Sequence, residues 1–291
     1  MSIHLSQNFG RINKELKIEI EHVKELSLQR IEAERREKER ELAQMLLEAD
    51  NERKTKELED ARKLQISMLP KEIPALSYLK IAASMSTSTE VGGDYYDFHV
   101  TDNGELILAI GDATGHGSRA GNLVSATKSL FSSLRDGAEP FELITTYDAA
   151  FKKMNLPNLY MALLVAKIGK NKITFSNAGM PPLFLFKKET CKTSQLLQKS
   201  LPLGGPAVFP YKEESVELSA GDVLLFASDG LYEFFNKDNE LLGLEKARSF
   251  FEMFVKLTPE EIINGIKNEL DKWSGGSVQR DDLTLITVKL V

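Results

Sequence analysis

Between residues 11 and 68 the chain contains neither glycine nor proline. A stretch of that length without a breaker is predicted to be helical. From 32 to 41 every residue except Ala33 is charged, and Glu32–Arg36 and Glu34–Lys38 stand four apart, where opposite charges support a helix. One heptad frame runs through the segment. Its a positions are Leu16, Val23, Arg30, Glu37, Gln44, Asn51, Leu58 and Gln65. Its d positions are Ile12, Glu19, Leu26, Ala33, Arg40, Leu47, Lys54, Ala61 and Met68. The seam is apolar at both ends and polar in the middle. It predicts a weak coiled coil, and Asn51 at an a position favours a parallel dimer; the alternative is a single long helix held by charge pairs. Pro70 and Pro74 stop the helix. The expected division is a helical coiled-coil segment, 1–70, that pairs through 11–68, and a globular domain, 71–291. Leu64, Ile66, Met68 and Leu69 make the end of the helix apolar, so that end is expected to dock on the domain.

The net charge of −6 argues against a broad nucleic-acid surface and suits a site that collects cations. The one cysteine, Cys191, excludes an internal disulfide or a cysteine zinc cluster and reads as a surface thiol. No apolar run approaches the ~18 residues of a membrane span, and the first ten residues lack the apolar core of a secretory signal. The expected location is the cytoplasm.

Past the prolines, apolar runs and alternating stretches predict strands at 79–84, 90–98, 105–110, 160–168, 172–178, 183–186, 215–218, 222–227 and 283–290. Helical spacing marks about 118–135, 141–155, 244–255 and 259–272. Strand clusters separated by helix pairs differ from a strict βαβα alternation. They predict an α+β domain of two antiparallel sheets covered by helices.

An aspartate beside glycine or a second aspartate recurs at apolar strand boundaries: Gly93-Asp94, Gly111-Asp112, Ser228-Asp229-Gly230 and Asp281-Asp282. A single aspartate at a strand end is usually a turn former. Four such turns are different, because like-charged carboxylates cannot share a pocket without compensating cations. If the turns converge, two divalent ions are the simplest compensation, and such a pair suits hydrolysis of a phosphate ester. Asp94 and Asp97 are three apart, so on a regular strand they face opposite sides, and only one should reach a given site. Ser228 has no adjoining histidine and is not read as a nucleophile. Arg119 and Arg280 could fork a phosphate, but each reads as an ordinary surface arginine.

These motifs, together with Leu64-Gln65 through Leu69-Pro70, Glu90-Val91-Gly92-Gly93-Asp94-Tyr95-Tyr96-Asp97-Phe98, Gly111-Asp112-Ala113-Thr114-Gly115-His116-Gly117, Asn177-Ala178-Gly179-Met180-Pro181-Pro182 and Pro202-Leu203-Gly204, follow one another in a familiar order. From about residue 64 to the end, the chain resembles the SpoIIE/RsbU-type branch of the PPM metal-dependent serine/threonine phosphatases. The resemblance implies an αββα sandwich with two Mn2+ or Mg2+ ions between the sheets. It also implies hydrolysis of phosphoserine or phosphothreonine by metal-activated water, without a phosphoenzyme. Carried over by position, Asp112 would bridge the ions, the Ala113 carbonyl would complete one shell, and Asp94, Asp229 and Asp281 would supply the other carboxylates. Asp97 and His116 would stand just outside the ligands, and Asp282 would orient its loop. His116 is not given the general-acid role of the eukaryotic relatives' histidine, which directly follows the Asp-Gly of the equivalent turn. Bacterial members often act on small anti-sigma-factor antagonists under an N-terminal sensor, and here only a helix occupies that place. The rival readings are an inactive interaction module on the same fold and a coiled-coil scaffold.

Overall fold

A computed structural model of the chain describes residues 2–88, 91–115, 117–134, 137–277 and 279–291, with side chains from residue 10 onward. It contains two compact units, Met1–Glu57 and Leu58–Val291.

The first unit is helical. It belongs to α1 (Ser2–Met68), which begins well before the Arg11 expected from the breaker pattern. Arg30–Glu34 (3.1 Å), Arg35–Glu39 (2.9 Å) and Glu32–Arg36 (3.6 Å) pair along it at i,i+4. Glu34 uses Arg30 rather than Lys38. Pairs this exposed contribute only about 0.3–0.5 kcal/mol each. The seam residues Ile12, Leu16, Val23, Leu26 and Leu47 are exposed.

The second unit opens with the last turns of α1 and continues through ten strands and five further helices. In chain order these are β1 (Leu79–Ser86), β2 (Asp94–Val100), β3 (Leu106–Ala113), α2 (Ser118–Ser132), α3 (Pro140–Met154), β4 (Met161–Ile168), β5 (Lys172–Ala178), β6 (Leu183–Lys187), β7 (Lys192–Leu196), β8 (Glu214–Glu217), β9 (Val223–Ala227), α4 (Asp229–Tyr232), α5 (Gly243–Phe254), α6 (Pro259–Ser274) and β10 (Leu283–Leu290). They form two five-stranded antiparallel sheets, ordered β1-β10-β9-β6-β7 and β2-β3-β4-β5-β8.

Apolar periodicity builds the layers. Along β3, Leu106, Leu108 and Ile110 join a core shared with Leu185, Phe226, Ile286 and Val288 of the other sheet. The alternate residues Ile107 and Ala109 face α2 and α3, meeting Leu123, Val124, Ile144 and Tyr147. A strand buried on both faces reads as an unbroken apolar run, as β3 does. The outer face of the first sheet, with Phe184, Leu225 and Leu285, is covered by Phe250, Phe251, Ile262 and Ile266 of α5 and α6. The result is an αββα sandwich. Its helices carry local stop and start signals: Pro140 opens α3, left-handed Asn155 closes it, and Thr258 with Glu261 forms a capping box on α6.

Some elements differ from the sequence pattern. β7 has no apolar signature, because KTSQL lies on a sheet edge with little to bury. β8 and β9 flank a short turn yet enter different sheets, β8 beside β5 and β9 between β10 and β6. The end of α1 is also corrected. Leu64 and Ile66 are exposed, Met68 and Leu69 are half-buried, and the residue fully buried is Gln65. The positions turned inward are Leu58, Ala61, Gln65 and Met68, which are the last a and d positions of the heptad frame. Residues spaced this way share one helix face, and Leu64 and Ile66 fall off it.

Candidate metal centre

Antiparallel pairing brings the aspartate turns together. β2 begins where β3 ends, so Asp94 and Asp112 are direct cross-strand partners. β9 ends where β10 begins, with Ala227 opposite Leu285, which puts Asp229 beside Asp281-Asp282. Ser228 N–H donates to the Thr284 carbonyl (3.1 Å), and Thr284 N–H donates to Ser228 Oγ (3.0 Å). The two sheets meet at this end through Asp94. Its Oδ2 accepts from Ser228 Oγ (2.9 Å) and Thr284 Oγ1 (2.5 Å), both on the opposite sheet. Ser228 is thereby engaged as a buried donor.

Asp282 fastens the backbone around the site. Its Oδ1 accepts from Ser88 N–H (2.8 Å), and its Oδ2 accepts from Gly93 N–H (2.7 Å) and, more weakly, Asp94 N–H (3.4 Å). Two glycines permit the close approach. A Cβ on Gly93 would lie 2.5 Å from the Ala113 carbonyl and 2.7 Å from Asp112 Oδ1, and one on Gly230 would collide with the Asp282 carbonyl. A cavity of about 170 Å³ is lined by Ser88, Asp112, Ala113, Gly115, Arg280, Asp281 and Asp282.

The electrostatics are those of unneutralised carboxylates. Burial pushes Asp112 up to about 9, with Asp229, Asp94, Asp281 and Asp282 adding repulsion. Burial likewise lifts Asp94 to about 8, reinforced by Asp282 and Asp229 against the hydrogen bonds from Thr284 and Ser228. Asp229 rises to about 6 through burial, Asp281 and Glu233. Among the described residues, no lysine or arginine forms an ion pair with any of these groups. Asp94 is 1% exposed, yet among the described residues its Oδ1 has no hydrogen-bond partner. A buried carboxylate oxygen left open within an all-oxygen donor set fits a hard divalent cation.

Asp94, Asp112, Ala113, Asp229, Asp281 and Asp282 are thus gathered at one end of the sandwich. Asp97 is not. It lies on the other face of β2, as period-two alternation requires, where its Oδ2 accepts from Lys128 Nζ (2.5 Å) and Tyr95 Oη (2.9 Å). His116 lies outside the described residues. Arg119 donates to the Pro157 carbonyl (3.2 Å), away from the cluster. One acidic residue was missed. Glu233 presents a carboxylate oxygen within 4.8 Å of oxygens on Asp229 and Asp281. The signal for it was spacing: Glu233 follows Asp229 by four residues, and the turn closes by Glu233 N–H donating to the Asp229 carbonyl (2.8 Å). The last turns of α1 also reach the site backbone. Gln65 Nε2 donates to the Gly92 carbonyl (2.7 Å), and Gly92 N–H donates to Gln65 Oε1 (3.1 Å), two residues ahead of Asp94.

An αββα sandwich with carboxylates converging at one end of both sheets defines the PPM class of metal-dependent serine/threonine phosphatases. Residues 102–291 match the family model for stage II sporulation protein E (SpoIIE). Phosphoserine phosphatase RsbU of Bacillus subtilis is 26% identical over 236 residues, spanning 80% of this chain and 70% of that one. The SiaA-PP2C domain of Pseudomonas aeruginosa superposes with a TM-score of 0.72 at 17% identity, covering 83% of this chain and 98% of that domain. RsbX in complex with magnesium gives a TM-score of 0.57 at 20% identity over 76% of this chain and 99% of that one. The chain belongs to the SpoIIE family, in the SpoIIE/RsbU-type branch of the PPM phosphatases.

Proposed function

We propose that the chain hydrolyses phosphoserine or phosphothreonine on a bacterial signalling protein, with an anti-sigma-factor antagonist as the expected kind of substrate. Two divalent ions, Mn2+ or Mg2+, would be held by Asp94, Asp112, the Ala113 carbonyl, Asp229 and Asp281. The observation that carries this reading is the buried Asp94 oxygen that no group hydrogen-bonds among the described residues, inside a carboxylate cluster with which no lysine or arginine forms an ion pair among them. Asp112 is repelled by four other carboxylates, Asp229, Asp94, Asp281 and Asp282, and would suit a ligand shared between ions. Ser228 and Thr284 fix one oxygen of Asp94 and leave the other for metal. Asp282 keeps Gly93 and Asp94 at the cavity wall through their N–H groups, and Glu233 would be a further ligand on the Asp229 side. When bound, the ions supply an activated water nucleophile and neutralise charge on the phosphoryl oxygens. The magnesium complex of RsbX supports a divalent cation. The test is hydrolysis of an aryl phosphate and a phosphoserine peptide with manganese, with magnesium and after chelation. Turnover that survives complete chelation sinks the proposal.

The N-terminal helix is the proposed regulatory input. Exposed apolar residues at upstream a and d positions support a homodimer through α1. Within 11–68, the pairing would stop short of Leu58, because the last a and d positions are committed to the globular unit. Gln65 supports the link to the site, since its carboxamide grips Gly92 next to the strand that carries Asp94. Helix pairing would then bias how this grip holds the metal-binding backbone. Light scattering on the full chain and on a chain beginning at Leu58 tests the dimer. Equal stoichiometry of the two, both monomeric, removes it.

A further inference from the structure

The cavity beside the carboxylates has one cation in its lining among the described residues, Arg280. Its neighbours there include Asp112, Asp281 and Asp282, yet Arg280 pairs with none of them. It is held from the other side. Its guanidinium lies over the Phe235 ring, 4.5 Å from the centroid, and Nη2 donates to Asn239 Oδ1 at 2.6 Å.

The support is itself held by hydrogen bonds. Phe235 bridges to Leu241, closing a tight turn. Inside it, Asn236 Oδ1 accepts from Asp238 N–H and Glu240 N–H, both at 2.9 Å. Asn239 adopts φ 60°, a left-handed conformation that asparagine tolerates better than most residues. The ring contact and one hydrogen bond hold the guanidinium and leave its other N–H donors without a protein partner among the described residues. An arginine kept off the adjacent carboxylates and pre-oriented at a metal cavity is suited to an incoming anion of matching shape. A phosphate ester offers two oxygens to such a planar fork.

We infer that Arg280 grips the phosphoryl group of the substrate, with Phe235 and Asn239 as the residues that position it. This role rests on the phosphatase reading and adds to it the group that recognises the phosphate.

The experiment uses the full chain loaded with manganese and inorganic phosphate as the probe. Phosphate affinity is measured by calorimetry and as competitive inhibition of aryl phosphate hydrolysis, alongside the manganese activation constant. Arg280→Ala should weaken phosphate binding and raise KM by about tenfold to a hundredfold, with a smaller loss in kcat. Arg280→Lys should recover only part of this, because an ammonium cannot fork two oxygens. Asn239→Ala should give a weaker effect of the same kind, about threefold. Should Arg280→Ala fail to fold, Arg280→Lys and Asn239→Ala carry the same comparison. Phosphate affinity within about twofold of the parent in Arg280→Ala overturns the assignment while leaving the phosphatase reading intact. Full recovery in Arg280→Lys, or phosphate and manganese constants that weaken in proportion, also overturns it. A parent that neither hydrolyses aryl phosphate nor binds phosphate overturns both readings.

Discussion

Asp97, Asp148 and Asp222 are buried and each has a lysine at hand: Lys128 at 2.5 Å, Lys152 at 2.7 Å and Lys187 at 2.8 Å. At the open end of the sandwich, Asp94, Asp112, Asp229 and Asp281 stand together and have no such partner among the described residues. The same side chain is therefore treated in two ways within one domain. Where a carboxylate serves the fold, the chain supplies its own cation, because an unpaired buried charge costs several kcal/mol. Where the chain supplies none, the carboxyls hold their protons to an unusually high pH, and under the proposed function a divalent ion would take the place of those protons.

The largest effect is expected from disrupting the uncompensated group. Asp112→Asn should lower manganese-dependent turnover by about a hundredfold or more, since several kcal/mol of charge stabilisation is at stake. Steady-state rates over a manganese titration check this, and parent-like turnover at saturation removes Asp112 from the metal site. The compensated group should behave oppositely. Lys128→Met leaves Asp97 buried and unpaired and should cost about 3 kcal/mol of stability. Turnover per folded molecule should stay near the parent's. Denaturant unfolding beside the same assay measures both, and a stable but inactive variant erases the distinction.

Titration sharpens the comparison further. Without metal, the fold keeps Asp112 protonated to about 9 and Asp94 to about 8. In the unfolded chain such groups ionise near ~4. The unfolded state therefore gives up these protons first. The stability associated with the protonated carboxylates is complete below ~4 and is lost as pH rises toward the folded values. Asp112→Asn mimics the protonated form and escapes this loss. The metal-free variant should melt above the metal-free parent by a margin that widens from about pH 6 to about pH 9. A constant or shrinking margin would falsify the shared-charge description. Adding manganese should reverse the order, because only the parent has the full ligand set.

The smallest effect concerns the helix. Gln65→Ala removes two hydrogen bonds to Gly92. It should raise the manganese concentration for half-maximal activity by about threefold to tenfold and lower the melting temperature by a few degrees, because the Gly92 peptide groups are left buried without these partners. An unchanged manganese requirement in both Gln65→Ala and a chain beginning near Leu76 would make the helix a passive tether.

The sequence by itself determined the local elements. The breaker-free stretch made most of α1, proline and asparagine marked the ends of α3, and Asp-Gly signals stood at the strand boundaries that became the site. Even the separation of Asp94 from Asp97 followed from alternation along one strand. Tertiary structure decided what depends on partners distant in sequence. It sent β8 and β9 into different sheets, because strand pairing is settled by faces that meet across the domain and not by the turn between neighbours. It buried Gln65 and left Leu64 exposed, because the surface that the end of α1 meets offers the peptide of Gly92 as a partner for a carboxamide. It also put Glu233 beside Asp281, and Arg280 on Phe235 and Asn239. A residue's chemistry is written in the chain, but whether a charge is paired, left for a metal or held ready for an anion depends on which groups the fold sets against it.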